Sequence, residues 1–214
     1  MSRSYFNPFK SSTEEVILPV QMNNPFEVNI PEIALLAAHE VQAYLSENQQ
    51  LWQHDFGFDA AEHESVRGKM FGVLVVQNLG NELGYLFTSS GKINSETQLQ
   101  FVPSVFTGHE LDQQLSKGML ALTKIGRKIQ HLDAINTEKA RNEAAELRME
   151  RKTASHELQQ WIFDQYQFTN SRKQSKSLKS IFTEYSGKTP PAGAGECAAP
   201  KLLQHAFQNN LKPL

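Results

Sequence analysis

The single cysteine, Cys197, is the residue whose type best suits covalent or metal chemistry, because a thiolate is both a nucleophile and a zinc ligand. Nucleophilic catalysis needs a neighbouring base, and His205 lies two turns further along the same predicted helix. A zinc site needs a ligand-spaced set of Cys and His, and a zinc-deaminase site needs a later pair of cysteines. Neither pattern occurs in the sequence, although ligands from beyond Leu214 could complete a zinc pair. The sequence therefore predicts a buried structural thiol and assigns no catalytic residue.

A second stretch has a metal-binding composition, because carboxylates and imidazoles alternate in it. Metal sites also need a fixed geometry and supporting hydrogen bonds, which a polar loop does not provide. We therefore interpret the stretch as a solvated loop and predict no metal and no cofactor. Its members are His54, Asp55, Asp59, Glu62, His63 and Glu64.

Positive charge is concentrated near the carboxyl end of the chain. Residues 1–64 carry ten Asp or Glu against two Lys or Arg, whereas residues 65–214 carry thirteen against nineteen. Between 171 and 188 five basic residues accompany one acid, Glu184. Such a cluster attracts phosphate backbones at long range, and a solvated helix end is the alternative. The candidate nucleic-acid-binding residues are Arg172, Lys173, Lys176, Lys179 and Lys188.

Two glycine-containing segments resemble phosphate-binding loops in part. A complete P-loop needs a glycine five residues before its Gly-Lys pair, and in the run Ser186-Gly-Lys-Thr189 that position is Phe182. The run is therefore not a P-loop. The turn Gly193-Ala-Gly195 precedes a predicted helix, where an anion could bind, but a tight loop between two helices is the preferred interpretation.

Composition limits the class of protein. A length of 214 residues allows one or two domains, and 39% hydrophobic with 21% charged residues is ordinary for a globular chain. No window is apolar enough to span a membrane, and the first residues lack the pattern of a signal peptide. One cysteine excludes an internal disulfide framework. We therefore expect a cytoplasmic protein without a membrane partner.

The first half of the chain predicts a small α+β unit. Residues 1–30 are irregular, and apolar residues at helical spacing predict a helix over 31–50. An apolar run rich in β-branched residues, 69–77, and a second apolar run, 83–88, flank a turn and predict a β-hairpin, with 101–106 as a possible further strand or edge segment. The glycines at 72 and 84 predict a bulge or a close backbone approach. Helix 31–50 is the expected cover for one face of the hairpin.

The second half predicts long helices, because no Gly or Pro lies between Gly126 and Gly187. Two apolar seams are separated by polar residues near Asn136, which favours an antiparallel, coiled-coil-like helical hairpin that folds back near 133–137. The second seam places Arg151 in a core position. A short amphipathic helix over 178–185 and a helix starting near Pro200 follow. The α+β chain thus divides into an arm (1–30), a small α+β unit (31–108), a helical hairpin (109–170) and a basic segment with a loop and a helix (171–214). The seams are Leu111, Leu115, Leu122, Ile125, Ile129 and Leu132, then Ala140, Ala144, Leu147, Ala154, Leu158, Trp161 and Phe168.

One segment resembles a known family. The run Gly193-Ala-Gly-Glu-Cys-Ala-Ala-Pro-Lys-Leu-Leu203 is similar to a run that precedes the catalytic domain in a long bacterial branch of the RluA-type pseudouridine synthases. The similarity extends over most of 65–214, through short runs that are weak individually. They include Arg67-Gly-Lys-Met-Phe-Gly-Val-Leu74, Leu83-Gly-Tyr-Leu86, Ser90-Gly-Lys92, Phe101-Val-Pro103 and Lys176-Ser-Leu178.

The resemblance implies that the chain is the N-terminal domain of an RNA-modifying isomerase that needs no metal or organic cofactor. That family's catalytic motif is His-Arg-Leu-Asp, whereas Gln130-His-Leu-Asp133 lacks the arginine and lies in a helical pattern. The active site is therefore expected beyond Leu214. The implied partners are ribosomal or transfer RNA and the enzyme's own synthase domain. Three roles stay open: an RNA-docking or domain-positioning region, a protein interaction module that dimerises through the helical hairpin, and an independent enzyme that uses Cys197.

Overall fold

The computed structural model describes residues 4–24, 29–48, 51, 69–91, 100–106 and 108–214. Within these residues the fold is α+β, as predicted from the sequence. The helices are α1 (Glu32–Glu47), α2 (His109–Ile135), α3 (Glu138–Gln165), α4 (Leu178–Ser186) and α5 (Ala198–Gln208). The strands are β1 (Asn7–Pro8), β2 (Phe71–Gln77), β3 (Leu83–Ser89), β4 (Gln167–Thr169), β5 (Ser175–Ser177) and β6 (Lys212–Pro213).

The described chain divides into two compact units that each combine stretches distant in sequence. The first contains residues 1–105, 168–175 and 193–214. The second contains residues 106–167 and 176–192. The four segments predicted from the sequence are contiguous, whereas these units are not, because α5 packs on the sheet formed by β2 and β3 and α4 packs on α3.

The first unit is built on an antiparallel sheet of strand order β1-β3-β2-β6. The predicted hairpin is confirmed, with Phe71 opposite Ser89 and Gln77 opposite Leu83. The Asn78 side chain holds its turn by accepting from the backbone N–H groups of Gly80 and Glu82. The short strands β1 and β6 extend the sheet on its two sides.

A helix covers each face of this sheet. The predicted helix α1 follows Pro31 and buries one apolar stripe against Val75 and Phe87. Helix α5 covers the opposite face, where Leu202 packs with Leu86. The predicted close approaches at the strand glycines are confirmed. A Cβ on Gly72 would lie 2.6 Å from the Cβ of Ala198, and one on Gly84 would lie 2.5 Å from the carbonyl oxygen of Asn7.

The segment 101–106 forms no strand but is hydrogen-bonded to β3. The Val102 N–H donates to the Phe87 carbonyl at 2.9 Å, and the Thr88 hydroxyl donates to the Val102 carbonyl at 2.7 Å. Pro103 has no N–H with which to continue a ladder. Phe101 and Val102 are nevertheless buried, so the segment contributes to the core as an edge segment.

The second unit contains the predicted helical hairpin. Asn136 ends α2 in the left-handed conformation, and the Thr137 hydroxyl accepts from the Ala140 N–H to begin α3. Leu132 and Ala144 pack where the two helices meet. Between α3 and α4 the chain passes through the small two-stranded sheet of β4 and β5. The short helix predicted over 178–185 is confirmed as α4.

None of the helices in the described part of the chain is both long enough and apolar enough to cross a lipid bilayer.

Candidate functional site

Cys197 is exposed, so the predicted buried thiol is wrong. The residue is the N-cap of α5, where the chain turns from a short 3₁₀ segment (Ala194–Glu196) into the helix. The buried residues of the Gly193–Leu203 run are instead Gly195, Lys201 and Leu202. The thiol therefore takes no part in the core packing that its burial was predicted to provide.

A lysine is the most deeply buried charged group of the motif. Lys201 is 1% exposed, and its ammonium donates to the carbonyls of Ser89 and Gly91 at 3.1 and 2.8 Å. It also pairs with the Glu196 carboxylate at 3.0 Å. The Ser104 hydroxyl donates to the other oxygen of that carboxylate. The ammonium therefore donates to two carbonyls and forms an ion pair, rather than a hydrogen bond, with the carboxylate.

The cluster around Lys201 is built for structure rather than chemistry. The Gly91 N–H also donates to the Glu196 carbonyl at 2.9 Å, so the start of α5 is tied to the end of β3 by main chain and side chains. A buried charge is tolerated when it is paired and fully hydrogen-bonded. The Lys201 ammonium, which is 0% exposed, is thus held by contacts within the fold.

Two of the predicted nucleic-acid-binding lysines are held by carboxylates of the second unit. Lys176 in β5 pairs with Glu184 at 2.5 Å, and this contact raises the pKa of Lys176. Lys179, in the first turn of α4, lies 3.4 Å from the Asp164 carboxylate. Both ion pairs are solvent-exposed, so a phosphate could bind these lysines only in competition with a neighbouring carboxylate.

The other three predicted residues are distributed over both units. In the first unit Lys173 donates to the Phe207 carbonyl and to the Asn210 side chain, which holds the end of α5. Arg172, also in the first unit, and Lys188, in the second, are exposed. Among the described residues neither of these two side chains has a hydrogen-bond or ion-pair partner. The five residues therefore do not form one site within either unit.

The run Ser186-Gly-Lys-Thr189 lies at the carboxyl end of a helix, not at its start. Gly187 ends α4 in the left-handed conformation, with φ of 63°. Anions bind at helix N-termini, where free N–H groups point outward, whereas the carboxyl end presents carbonyl oxygens. The position of the run agrees with its exclusion as a P-loop.

The second unit contains an open groove between α2 and α3 with a volume of about 740 Å³. It forms at the point where Arg151 takes the place of an apolar residue in the helical seam. The Arg151 Nε atom donates to the Leu122 carbonyl at 3.4 Å and lies 3.6 Å from where a Gly126 Cβ would be. A Cβ at Gly126 would therefore make only an ordinary van der Waals contact with the guanidinium. The lining is Gly126, Ile129, Gln130, Arg148, Arg151, Lys152, Ser155, His156 and Gln159.

The groove is positively charged. No carboxylate is among the lining residues in the described part of the chain. Arg148 is compensated by Asp133, whose two oxygens each lie 2.7 Å from one guanidinium nitrogen. Arg151 and Lys152 have no carboxylate partner among the residues that the structure describes. The groove therefore combines two uncompensated cations with the hydrogen-bonding side chains of Ser155 and His156.

The sequence identified Arg151 as a charged residue in a core position but did not identify the groove. The His-Leu-Asp run that resembles part of a catalytic motif lies inside α2, and its Asp133 is engaged with Arg148. The acidic and histidine-rich stretch over 54–64 lies outside the described residues. Among the described residues, no group of three or more His, Cys, Asp or Glu is placed to hold a metal ion.

No protein-family model, curated protein or solved structure matches this chain.

Proposed function

We propose that this chain is the N-terminal accessory part of a cytoplasmic RNA pseudouridine synthase and that its helical hairpin docks RNA. In this proposal the isomerisation of uridine to pseudouridine belongs to a catalytic domain outside the chain. The family assignment rests on the resemblance of the Gly193–Leu203 run and of the shorter runs before it. The cytoplasmic location rests on the same resemblance and on the single cysteine.

The observation that supports RNA docking best is the basic groove between α2 and α3. The groove is open, with a volume of about 740 Å³, and Arg151 and Lys152 supply the charge. Arginine and lysine are the principal phosphate-binding side chains in nucleic-acid complexes. A site made from phosphate contacts binds RNA by charge and shape, which suits a positioning role.

The residues between 171 and 188 have a secondary part in this proposal. Lys176 and Lys179 are held by Glu184 and Asp164, so their net attraction for a phosphate is lower than that of Arg151 and Lys152. Arg172 and Lys188 are exposed and available to contribute at long range.

Dimerisation through the helical hairpin is the competing function. It is favoured by apolar side chains that the hairpin leaves exposed, namely Leu120 on α2 at 56% and Met149 on α3 at 73%. Light scattering separates the two functions, because a dimer doubles the mass. An RNA-binding monomer supports RNA docking, whereas a dimer that binds no RNA shows that dimerisation is the function instead.

The test is the binding of a fluorescent stem-loop RNA to the chain, measured by anisotropy over a series of salt concentrations. We expect R151A/K152A to weaken binding and to lower the slope of log affinity against log salt by about 2, since each phosphate contact contributes roughly one. We expect K176A/K179A to change the slope by less, because carboxylates already engage these two lysines.

The matched control is K139A/R141A, which removes the same charge from the same helix outside the groove lining. Circular dichroism checks that α3 remains helical in each variant. If K139A/R141A weakens RNA binding as much as R151A/K152A does, the groove is not the docking site. If the unmodified chain binds no RNA at low salt, the docking function is wrong.

A further inference from the structure

The outward face of α2 carries a row of positive charge. Between Asp112 and Asp133 this helix has four Lys or Arg residues and no Asp or Glu. Lys124 and Arg127 are exposed, and neither side chain has a hydrogen-bond or ion-pair partner among the described residues. Because residues three or four apart lie on one side of a helix, Arg127 connects Lys124 with the exposed His131 in a single row.

This row adjoins the groove between α2 and α3. Gln130 lines the groove and lies three residues after Arg127, so their side chains are neighbours on the surface of α2. The Arg151 Nε atom donates to the Leu122 carbonyl, so the cations of α3 lie beside the turn of α2 that follows Leu122. Four cations without a carboxylate partner among the described residues therefore form a band across the helical hairpin. This cationic band consists of Lys124 and Arg127 on α2 and of Arg151 and Lys152 on α3.

The cationic band crosses two helices rather than following one. Packed helices lie about 8–10 Å apart, so the pair of cations on α2 and the pair on α3 engage different phosphates. Such a band fits a nucleic acid that presents more than one row of phosphates. Duplex RNA does so, because the phosphates of its two strands flank a wide and shallow minor groove. A single strand presents one row only.

The helical hairpin has none of the large aromatic side chains on which unpaired bases stack. From His109 to Gln160 the sequence contains no Phe, Tyr or Trp. Proteins that bind single strands combine a basic groove with such side chains, whereas the bases of a duplex are already stacked and paired. The groove lining instead offers hydrogen-bonding groups, Ser155, His156 and Gln159, which suit the 2′-hydroxyls displayed in the minor groove of duplex RNA.

We propose that the cationic band binds the base-paired stem of a folded RNA and that Lys124 and Arg127 belong to this binding surface. The inference rests on the proposed function and names its substrate class, which is duplex RNA bound through phosphates and 2′-hydroxyls. The charge density of a duplex favours this substrate. Each phosphate contact releases about 0.9 counterion from a duplex but about 0.7 from a single strand, so the same four cations bind a duplex more tightly.

The first experiment divides a stem-loop RNA into its parts. Fluorescence anisotropy measures the binding of the chain to the blunt duplex of the stem and to one of its strands alone. We expect the duplex to bind more tightly by about fivefold or more at about 0.1 M salt, with the steeper dependence on salt. Equal affinity for the two RNAs, or tighter binding of the single strand, overturns the inference.

The second experiment removes the cations of α2. We expect K124A/R127A to lower the slope of log affinity against log salt by about 2 for the duplex, and by less for the single strand. The matched control compares the adjacent residues Arg127 and Lys128. Lys128 has the same charge but pairs with Glu143 at 2.8 Å, so K128A lowers the slope by less than R127A does. Circular dichroism checks that α2 remains helical, and equal slopes for R127A and K128A overturn the inference.

These results separate the inference from the proposed function. If R151A/K152A weakens duplex binding and K124A/R127A does not, the groove docks RNA without the α2 row and this inference alone is wrong. The same conclusion follows if the chain prefers the single strand and R151A/K152A abolishes that binding. If neither RNA binds at low salt, the docking function is wrong and this inference is refuted with it.

Discussion

Replacement of the buried lysine by methionine tests the structural role of the Gly193–Leu203 run. Lys201→Met keeps the length of the side chain but removes the ammonium, so the Glu196 carboxylate loses its partner at 3.0 Å. Breaking a buried pair by removing one partner costs about 3–5 kcal/mol. Because the Glu196 side chain keeps 16% exposure, we expect the lower end of that range.

The double variant separates the charge from the hydrogen bonds. E196Q/K201M leaves no buried charge, and its cost is the loss of the two bonds to the carbonyls of Ser89 and Gly91, about 2 kcal/mol in total at roughly 1 each. We therefore expect the double variant to be more stable than K201M. The control is K179M, which removes a lysine from an exposed ion pair and costs about 0–1 kcal/mol.

Urea unfolding followed by circular dichroism measures these free energies. Amide exchange of β3 reports directly on the first unit, to which β3 belongs. In thermal melts we expect K201M to lower Tm by about 6–12 °C, at roughly 2–4 °C per kcal/mol for a chain of this size. A K201M protein as stable as K179M, or a double variant less stable than K201M, would refute the reasoning.

Three further predictions concern stability and titration. Gly72→Ala destabilises the first unit by about 1–3 kcal/mol, because the new Cβ would lie 2.6 Å from the Cβ of Ala198. Gly126→Ala stabilises the protein by up to about 1 kcal/mol, because the position is helical and the nearest contact of the new Cβ is 3.6 Å away. Equal changes in the free energy of urea unfolding for the two variants would contradict this. Burial raises the pKa of Glu40, but hydrogen bonds from the N–H groups of Ser11 and Lys10 outweigh it and hold the pKa below its ordinary 4.5. Its stabilisation is therefore present above pH 4.5 and is lost as the pH falls through the folded-state pKa, so the stability gap between wild type and E40Q narrows in acid; a constant gap would contradict this. Burial lowers the pKa of His205 from 6.5, so neutral His205 stabilises the fold above pH 6.5 and this contribution is lost as the pH falls through the lower folded-state pKa; an NMR titration with a midpoint at 6.5 would show otherwise.

Local patterns in the sequence predicted the elements that depend on neighbouring residues. The helix over 31–50, the β-hairpin and the helical hairpin follow from apolar spacing and from turn residues such as Asn78 and Asn136. The close approaches at Gly72 and Gly84 follow from glycine in a strand. The helices and turns are set by residues close together in the chain, whereas the partners of Gly72 and Gly84, Ala198 and Asn7, could not be named from the sequence.

The features that could not be predicted depend on contacts between distant segments. Lys201 contacts Ser89 across more than a hundred residues, and a lysine in an amphipathic helix is ordinarily expected in solvent. The sequence contains one weak indication that Lys201 is buried, because this residue directly precedes Leu202 and Leu203 in an otherwise apolar run. The exposure of Cys197 follows from the same arrangement, because Glu196 and Lys201 bind the end of β3 and leave the N-cap side chain outside.

The groove was partly visible in the sequence. Arg151 was recognised as a charged residue in the helical seam, but the position opposite it depends on where the hairpin turns. Once Asn136 and Thr137 fix the turn, Gly126 lies against Arg151 and the groove opens. For the basic residues between 171 and 188, the sequence showed the charge but not the neighbouring carboxylates. The carboxylates of Asp164 and Glu184 that engage two of these residues became evident only in the fold.

The most direct test of the central proposal is the salt dependence of stem-loop RNA binding by the chain and by its R151A/K152A and K139A/R141A variants. RNA docking in the groove predicts that the first variant loses affinity and about 2 in salt slope, while the second stays close to wild type. Equal slopes for all three proteins would contradict the proposal that the basic groove between α2 and α3 holds the RNA backbone.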